Sequence, residues 1–232
     1  MRTCGWFSLG VAIVALPLLK WHQDWRTAKP LSPRGGLPFY QRICLEVPHF
    51  YQGDSTWGDD LLGATAVTLG QEGCAVSCAA MVLAFYGAPL HPGTLNRFLQ
   101  RLPGGYTPRG WIEWQCAAEA APQMVNHLLP HYEDLPSYAL IDSNLLIGNP
   151  VIVRVRSPRD TTHFMVLVGK EGDRYLTLDP GKSMPRALYF LDEYGSSIEA
   201  LRFYRKPPAN TGGTICSEAE PEIEERPSER LC

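Results

Sequence analysis

The chain has 232 residues, of which 45% are apolar and 19% charged, values that fit one globular domain with appendages. Its net charge of -3 at pH 7 gives no basic surface, which argues against nucleic-acid binding. The seven cysteines form no C-x-x-C pair, and their odd number leaves at least one free thiol in an oxidising compartment.

The N-terminal residues predict an export signal or a membrane anchor over 1–22. Met1-Arg2 precedes an apolar run from Trp6 to Leu19, and a basic start followed by apolar residues is typical of export signals. The run is shorter than the ~20 residues of a full span. We expect an exported or membrane-anchored, extracytoplasmic protein, with a buried or disordered N-terminal segment as the alternative. Residues 23–39 are rich in proline and glycine, which predicts a linker.

The folded domain is predicted over residues 40–206. An extended segment at 45–51 and a loop at 52–70 precede predicted helices at 75–86, 92–102, 111–121 and 137–147. The pattern then changes to strands at 151–155, 163–168, 175–179 and 198–204. Helices followed by strands favour an α+β fold with an antiparallel sheet. Residues 207–232 contain several glutamates and prolines, which predicts a disordered acidic tail.

Cys74 is the first candidate for chemistry. It follows Gly73 and directly precedes the alanine-rich helix predicted at 75–86. The positive end of a helix dipole favours a thiolate, which is the nucleophilic form of cysteine. Buried, inert cysteines are common on helices, so the hypothesis needs a histidine and a carboxylate nearby. Cys78, one turn further along, is expected to be a packing residue.

A predicted hairpin supplies both groups. If residues 169–173 form its loop, His163 lies directly opposite Asp179 on the neighbouring strand. Opposite residues share a face of the sheet and have Cβ atoms about 5 Å apart. The register depends on loop length, because a shift of one residue would place the two on different faces. A histidine and an aspartate so placed can take the proton of a thiol and orient the imidazole.

Acyl transfer to a thiolate also needs donors for the developing oxyanion. The backbone N–H of Cys74 is one candidate, and a side-chain amide is the second. Gln52, at the end of the predicted extended segment, is favoured over Gln71, which lies only three residues before Cys74. The remaining histidines show neither H-x-x-x-H nor H-E-x-x-H spacing, so no metal site and no cofactor are predicted.

Several short pieces together resemble the peptidase-like family that is related to the double-glycine, bacteriocin-processing cysteine peptidases of the papain-like group. In chain order the pieces are Val47-Pro48-His49-Phe50-Tyr51-Gln52, Trp57-Gly58, Gly73-Cys74, Pro150-Val151-Ile152-Val153, His163 to Gly169, and Leu178-Asp179-Pro180. The resemblance covers about residues 44–206. Ala75-Val76-Ser77 replaces the Gly-Pro-Thr that commonly follows Gly-Cys in the family, which leaves the subfamily open.

The resemblance implies a papain-like fold in which N-terminal helices pack on an antiparallel sheet. It also implies Cys74 as nucleophile, His163 as base, Asp179 as orienting acid and Gln52 as oxyanion donor. The expected function is a cysteine peptidase acting on a peptide or protein substrate. Two alternatives are a catalytically silent peptide-binding module of the same fold and a structural envelope protein with disulfide bonds. No G-x-x-x-x-G-K-[ST] motif follows the domain, so no fused ATP-binding unit is expected.

Overall fold

The computed structural model describes residues 29–125, 131–133, 136–156 and 161–206, with 131–133 described by the backbone alone. The predicted signal or anchor at 1–22 and the predicted tail at 207–232 lie outside these ranges. Within them, no helix combines the length and the apolar composition that crossing a membrane requires.

The described residues form helices and one antiparallel sheet. In chain order the elements are β1 (Arg34–Cys44), α1 (Leu69–Glu72), α2 (Cys74–Phe85), α3 (Pro92–Arg101), α4 (Trp114–Ala118), β2 (His131–Glu133), α5 (Tyr138–Leu146), β3 (Val151–Arg156), β4 (Thr162–Leu178), β5 (Leu188–Phe190), a 3₁₀ turn (Leu191–Glu193) and β6 (Ile198–Phe203). The strand order is β1-β4-β3-β6-β2, and β5 also pairs with β4. The α+β class with an antiparallel sheet is therefore confirmed.

Helix α2 lies inside the core. Residues 76–83 are each at most 2% exposed, as expected of a helix that is apolar around its whole circumference. It packs on the sheet face that carries Val166 and Leu176 of β4. Helix α5 covers the opposite face of the sheet, which carries Met165 and Leu167 of β4. This packing holds Cys74, the first residue of α2, at a set position relative to β4.

Strand β4 folds back on itself. Its first half pairs with β3 and its last three residues pair with β5. The side chains of His163 and Asp179, 16 residues apart, meet at 2.7 Å, whereas a straight strand would separate them by about 50 Å. Gly172, with a φ of 58°, lies between the halves in a conformation that glycine adopts without a steric penalty.

The predicted loop at 169–173 differs from the structure in one respect. Gly169, Lys170 and Gly172 pair with residues of β1, so they are strand residues even though the chain reverses there. The third predicted helix is also shorter than expected. Tyr106 and Ile112 form an isolated bridge, which keeps the residues before Trp114 extended.

The linker predicted up to residue 39 is wrong for residues 34–39, which belong to β1. Proline and glycine favour loops, but a strand at the edge of a sheet tolerates both. Buried side chains of the domain hold this backbone in place. Lys170 Nζ donates to the Gly35 carbonyl at 2.8 Å, and the Leu37 N–H donates to Asp142 Oδ2 at 2.7 Å.

Lys170 and Asp142 form a buried ion pair beneath β1. Lys170 Nζ lies 2.7 Å from Asp142 Oδ1, with the two side chains 0% and 2% exposed. The hydroxyl of Tyr175 donates to the same carboxylate oxygen at 2.8 Å. Each charge in this pair is therefore compensated by protein groups.

We expect Lys170→Met to lower the free energy of unfolding by about 3–5 kcal/mol, because it leaves the Asp142 carboxylate buried without its cation. Urea denaturation measures the loss. The double variant Lys170→Met/Asp142→Asn should recover part of it, since no charge then remains. A double variant no more stable than Lys170→Met would contradict this explanation.

Candidate active site

Cys74 is half-buried and begins α2. Gly73 separates α1 from α2, and a Cβ at this position would collide with the backbone oxygen of Leu69. The glycine therefore allows the two helices to follow each other with one residue between them. The first turn of α2 presents N–H groups without helical partners, and these groups attract negative charge to the position of the Cys74 sulfur.

His163 connects Cys74 to Asp179. Its Nε2 lies 2.7 Å from Asp179 Oδ1, and an ionised carboxylate only accepts, so Nε2 carries a proton. Cys74 lies close enough to His163 to raise the pKa of its imidazole, and Nδ1 is the ring nitrogen not engaged by Asp179. The structure thus brings together three of the side chains that the sequence singled out.

The protonation of His163 follows from these neighbours. Burial lowers the pKa of the imidazole, but the hydrogen bonds with Asp179 and Cys74 and the charges of both outweigh burial and raise it to about 9. Burial also opposes ionisation of Asp179, yet hydrogen bonds from His163, Tyr189 and the Gly181 N–H leave the pKa of this carboxyl below its usual value. At neutral pH the pair is an imidazolium and a carboxylate.

Asp179 is held by its backbone and by its carboxylate. Its side chain is only 3% exposed. Nε2 of His49 donates to its carbonyl at 3.0 Å, while the Gly181 N–H donates to Oδ1 at 2.8 Å and the Tyr189 hydroxyl to Oδ2 at 2.7 Å. These contacts leave the carboxylate little freedom to turn away from His163.

Gln52 and Gln71 differ in what their amides already bind. Gln52 is 9% exposed and its backbone N–H donates to Pro180, next to Asp179. Its Nε2 donates to the Gly70 carbonyl at 2.9 Å, which leaves a second N–H on the same nitrogen. Among the described residues, Oε1 of Gln52 has no partner. Gln71 is exposed, and its Oε1 accepts the N–H of Thr68 at the start of α1.

A cleft of about 1110 Å³ opens over these groups, and Cys74, His163 and Gln52 line it. One wall is formed by the start of α2 and the loops around residues 62–67 and 107–113, and the other by β3, β4 and β6. Aromatic side chains from both walls face the cleft: Trp111, Trp114, Phe164 and Tyr194. The ring of Tyr194 stacks on His163 with centroids 6.0 Å apart and covers one face of the imidazole.

The cysteines of the described ranges are free thiols: Cys44, Cys74, Cys78 and Cys116. Cys78 is fully buried, as expected of a packing residue, and burial followed by the charges of Cys74 and Asp179 raises the pKa of its thiol. In the part of the chain that the structure describes, no three His, Cys, Asp or Glu side chains are placed to hold a metal ion.

A cysteine at a helix start, near a histidine that an aspartate orients, combines the groups that nucleophilic thiol chemistry requires. The chain belongs to the Peptidase_C39 like family, whose profile matches residues 44–194. A crystal structure of a Bacillus anthracis protein, described as that of a candidate C39-like peptidase, is 14% identical and covers 72% of this chain and 98% of its own, with a TM-score of 0.42. At that TM-score the similarity adds nothing about activity. No protein of curated function matches at the significance applied.

Tyr189 and Tyr194 were not among the residues singled out from the sequence. Tyr189 lies on β5, a strand of three residues, and Tyr194 follows the 3₁₀ turn. The apolar run at 187–191 was the one available signal, since such runs are typical of short buried strands. Nothing in the run indicates that its tyrosine contacts Asp179, because that contact depends on the pairing of β5 with β4.

Proposed function

We propose that this protein is a cysteine peptidase, a thiol hydrolase that cleaves peptide bonds. Cys74 is the nucleophile, His163 the acid and base, Asp179 the orienting carboxylate and Gln52 an oxyanion donor. The observation that carries the proposal is the 2.7 Å hydrogen bond between His163 and the buried Asp179, with Cys74 and His163 lining the same cleft. The cleft above it exceeds the usual size of a site for a drug-sized ligand, so a peptide segment fits.

Acylation starts from a thiolate and an imidazolium. The sulfur of Cys74 attacks the carbonyl carbon, a C–S bond forms, and the carbonyl oxygen becomes an oxyanion. In this proposal the backbone N–H of Cys74 and the second N–H of Gln52 Nε2 donate to it. When the intermediate collapses, the C–N bond breaks and Nδ1 of His163 gives its proton to the leaving amine.

Deacylation repeats these steps with water. The now neutral His163 takes a proton from a water molecule, whose oxygen attacks the thioester carbon. The second tetrahedral intermediate collapses with cleavage of the C–S bond. The product leaves as a carboxylic acid, and the thiolate and imidazolium are restored.

The reactivity of Cys74 tests the chemical half of the proposal. At pH 6 an ordinary thiol with a pKa of ~8.5 is only about 0.3% thiolate, so a stable thiolate should react with iodoacetamide up to about 300-fold faster. Peptide mass spectrometry would follow each cysteine separately. We expect Cys74 to be alkylated well before the exposed Cys44, which serves as a reference within the same chain.

The second part of the proposal is that the protein cleaves peptide bonds. Hydrolysis of an unstructured peptide pool, detected as new amino termini, tests it. Cleavage that Cys74→Ala abolishes would support the peptidase. A reactive Cys74 without cleavage would instead favour the silent peptide-binding module. If Cys74 reacted no faster than Cys44 at pH 6, the proposed thiolate chemistry would be contradicted.

A further inference from the structure

The two oxygens of the Asp179 carboxylate have different partners. Oδ1 accepts from His163 Nε2 at 2.7 Å and from the Gly181 N–H at 2.8 Å. Oδ2 accepts from the hydroxyl of Tyr189 at 2.7 Å. The ammonium of Lys182 lies 3.8 Å from Oδ2, beyond hydrogen-bond distance. Among the described residues, Tyr189 is thus the side chain that donates to Oδ2.

Sheet pairing places Tyr189 at this oxygen. It lies opposite Thr177 in the register of β4 and β5, and Asp179 lies two residues further along. Diagonal neighbours of this kind are within reach of an aromatic side chain. Lys182 Nζ lies over the Tyr189 ring, 4.0 Å from its centroid, and the hydroxyl also lies 3.9 Å from the sulfur of Met165. Lys182 therefore fixes the face of the Tyr189 ring, while Met165 and Asp179 fix its hydroxyl.

We infer that Tyr189 is a positioning residue for the proposed reaction, whose hydroxyl acts through Asp179 to hold the imidazole of His163 toward Cys74. The inference rests on the proposed function and assigns a further residue to the same site. Tyr189 does not line the cleft, so contact with substrate is not its role.

Geometry explains why hydrogen bonds at Oδ1 alone are insufficient. A carboxylate held at one oxygen can still rotate about its Cβ–Cγ bond, and a donor on the second oxygen fixes its plane. The same donor keeps Asp179 ionised, because hydrogen bonds to a buried carboxylate stabilise its charged form. A protonated Asp179 would leave the imidazolium without a counter-charge and so weaken its pairing with the thiolate.

Several titratable or charged groups face Asp179, and each affects the pH dependence. They come from the Cys74 helix, from the loops on either side of the carboxylate, and from the sheet: Cys74, Cys78, His49, His163, Lys182, Tyr189 and Tyr194. The fall of Cys74 reactivity at low pH, which we call the acid limb of its pH profile, therefore reports on the whole cluster. Comparing two tyrosine variants isolates the contribution of one hydroxyl.

The test is the pH dependence of Cys74 alkylation by iodoacetamide in Tyr189→Phe. Loss of the donor makes the Asp179 carboxylate easier to protonate, so the acid limb should move to higher pH. A shift of about one pH unit is expected, because hydrogen bonds to charged groups are among the stronger ones. At the wild-type midpoint the alkylation rate should therefore fall about fivefold, and at lower pH the ratio should approach about tenfold.

Tyr86→Phe is the matched control. It removes a buried hydroxyl that donates to the Tyr204 carbonyl at 2.9 Å, with no contact to Asp179, so it should lose stability without shifting the acid limb. Should Tyr189→Phe fold poorly, 3,5-difluorotyrosine at position 189 offers a second variant. Being a stronger donor of nearly the same shape, it should move the limb to lower pH.

The outcomes separate the two proposals. If wild-type Cys74 shows no enhanced reactivity at pH 6, the proposed function fails and the role of Tyr189 fails with it. If wild-type Cys74 is unusually reactive, but its reactivity falls at the same acid pH as in Tyr189→Phe and Tyr86→Phe, only the role of Tyr189 is overturned. A shift confined to the variants at position 189 supports the inference.

Discussion

Replacing His163 by alanine is expected to lower the rate of peptide hydrolysis by about 10⁴-fold or more. The imidazole both stabilises the Cys74 thiolate and protonates the leaving amine, and loss of such a group from a triad has effects of this size. Initial rates on an unstructured peptide pool, with new amino termini as the readout, measure the loss.

The pH profile sharpens this prediction. Because the pKa of His163 is raised to about 9, the ring keeps its proton below that pH and loses it above. Wild-type hydrolysis should therefore fall as the pH rises through about 9, whereas His163→Ala should show no such limb.

His91→Ala is the matched control for the loss of an imidazole. His91 stacks on Trp57 at the start of α3, with centroids 5.0 Å apart, and does not line the cleft. It should retain hydrolysis with a small loss of stability. Equal activity of His163→Ala and His91→Ala would show that His163 has no part in the reaction.

Gln52→Ala is expected to lower kcat by about 10²–10³-fold, the usual effect of removing one oxyanion donor. The buried amide has a second N–H, Gln52 lines the same cleft as Cys74, and its position is set by bonds to Gly70 and Pro180. Because the donor acts on the oxyanion and not on the ground state, KM should change much less than kcat.

Gln71→Ala distinguishes the two glutamines. It removes the bond to the Thr68 N–H at the start of α1, which should cost about 1 kcal/mol of stability and leave kcat near the wild-type value. Thermal unfolding and kcat together separate these effects. A large loss of kcat in Gln71→Ala, with none in Gln52→Ala, would reverse the assignment.

Predictions from local patterns agreed best with the structure. The alanine-rich run after Gly73 forms α2, because an uninterrupted apolar sequence of good helix formers needs only a core to pack in. The approach of His163 to Asp179 was also predicted, since the two lie 16 positions apart on a segment that folds back on itself. A short connection limits the possible registers, so sequence spacing carries that information.

Predictions that depended on distant parts of the chain agreed less well. Residues 34–39 were predicted to be a linker, but Lys170 and Asp142 hold their backbone in a strand. Glycine and proline favour loops locally, but hydrogen bonds from residues more than 100 positions away outweigh this preference. The third helix was predicted too long because the bridge between Tyr106 and Ile112 depends on how the loop closes.

The sequence alone determined the membership of the family, the helix that begins at Cys74 and the approach of His163 to Asp179. Each of these depends on residues close together in the chain or on the order of short motifs. Only the tertiary structure decided that Gln52 is buried with its backbone bound to Pro180, whereas Gln71 is exposed and its Oε1 accepts from Thr68, and that Tyr189 donates to Asp179. The physical reason is the same in both cases: the burial and the hydrogen-bond partners of a side chain are set by parts of the chain that meet only when the domain folds.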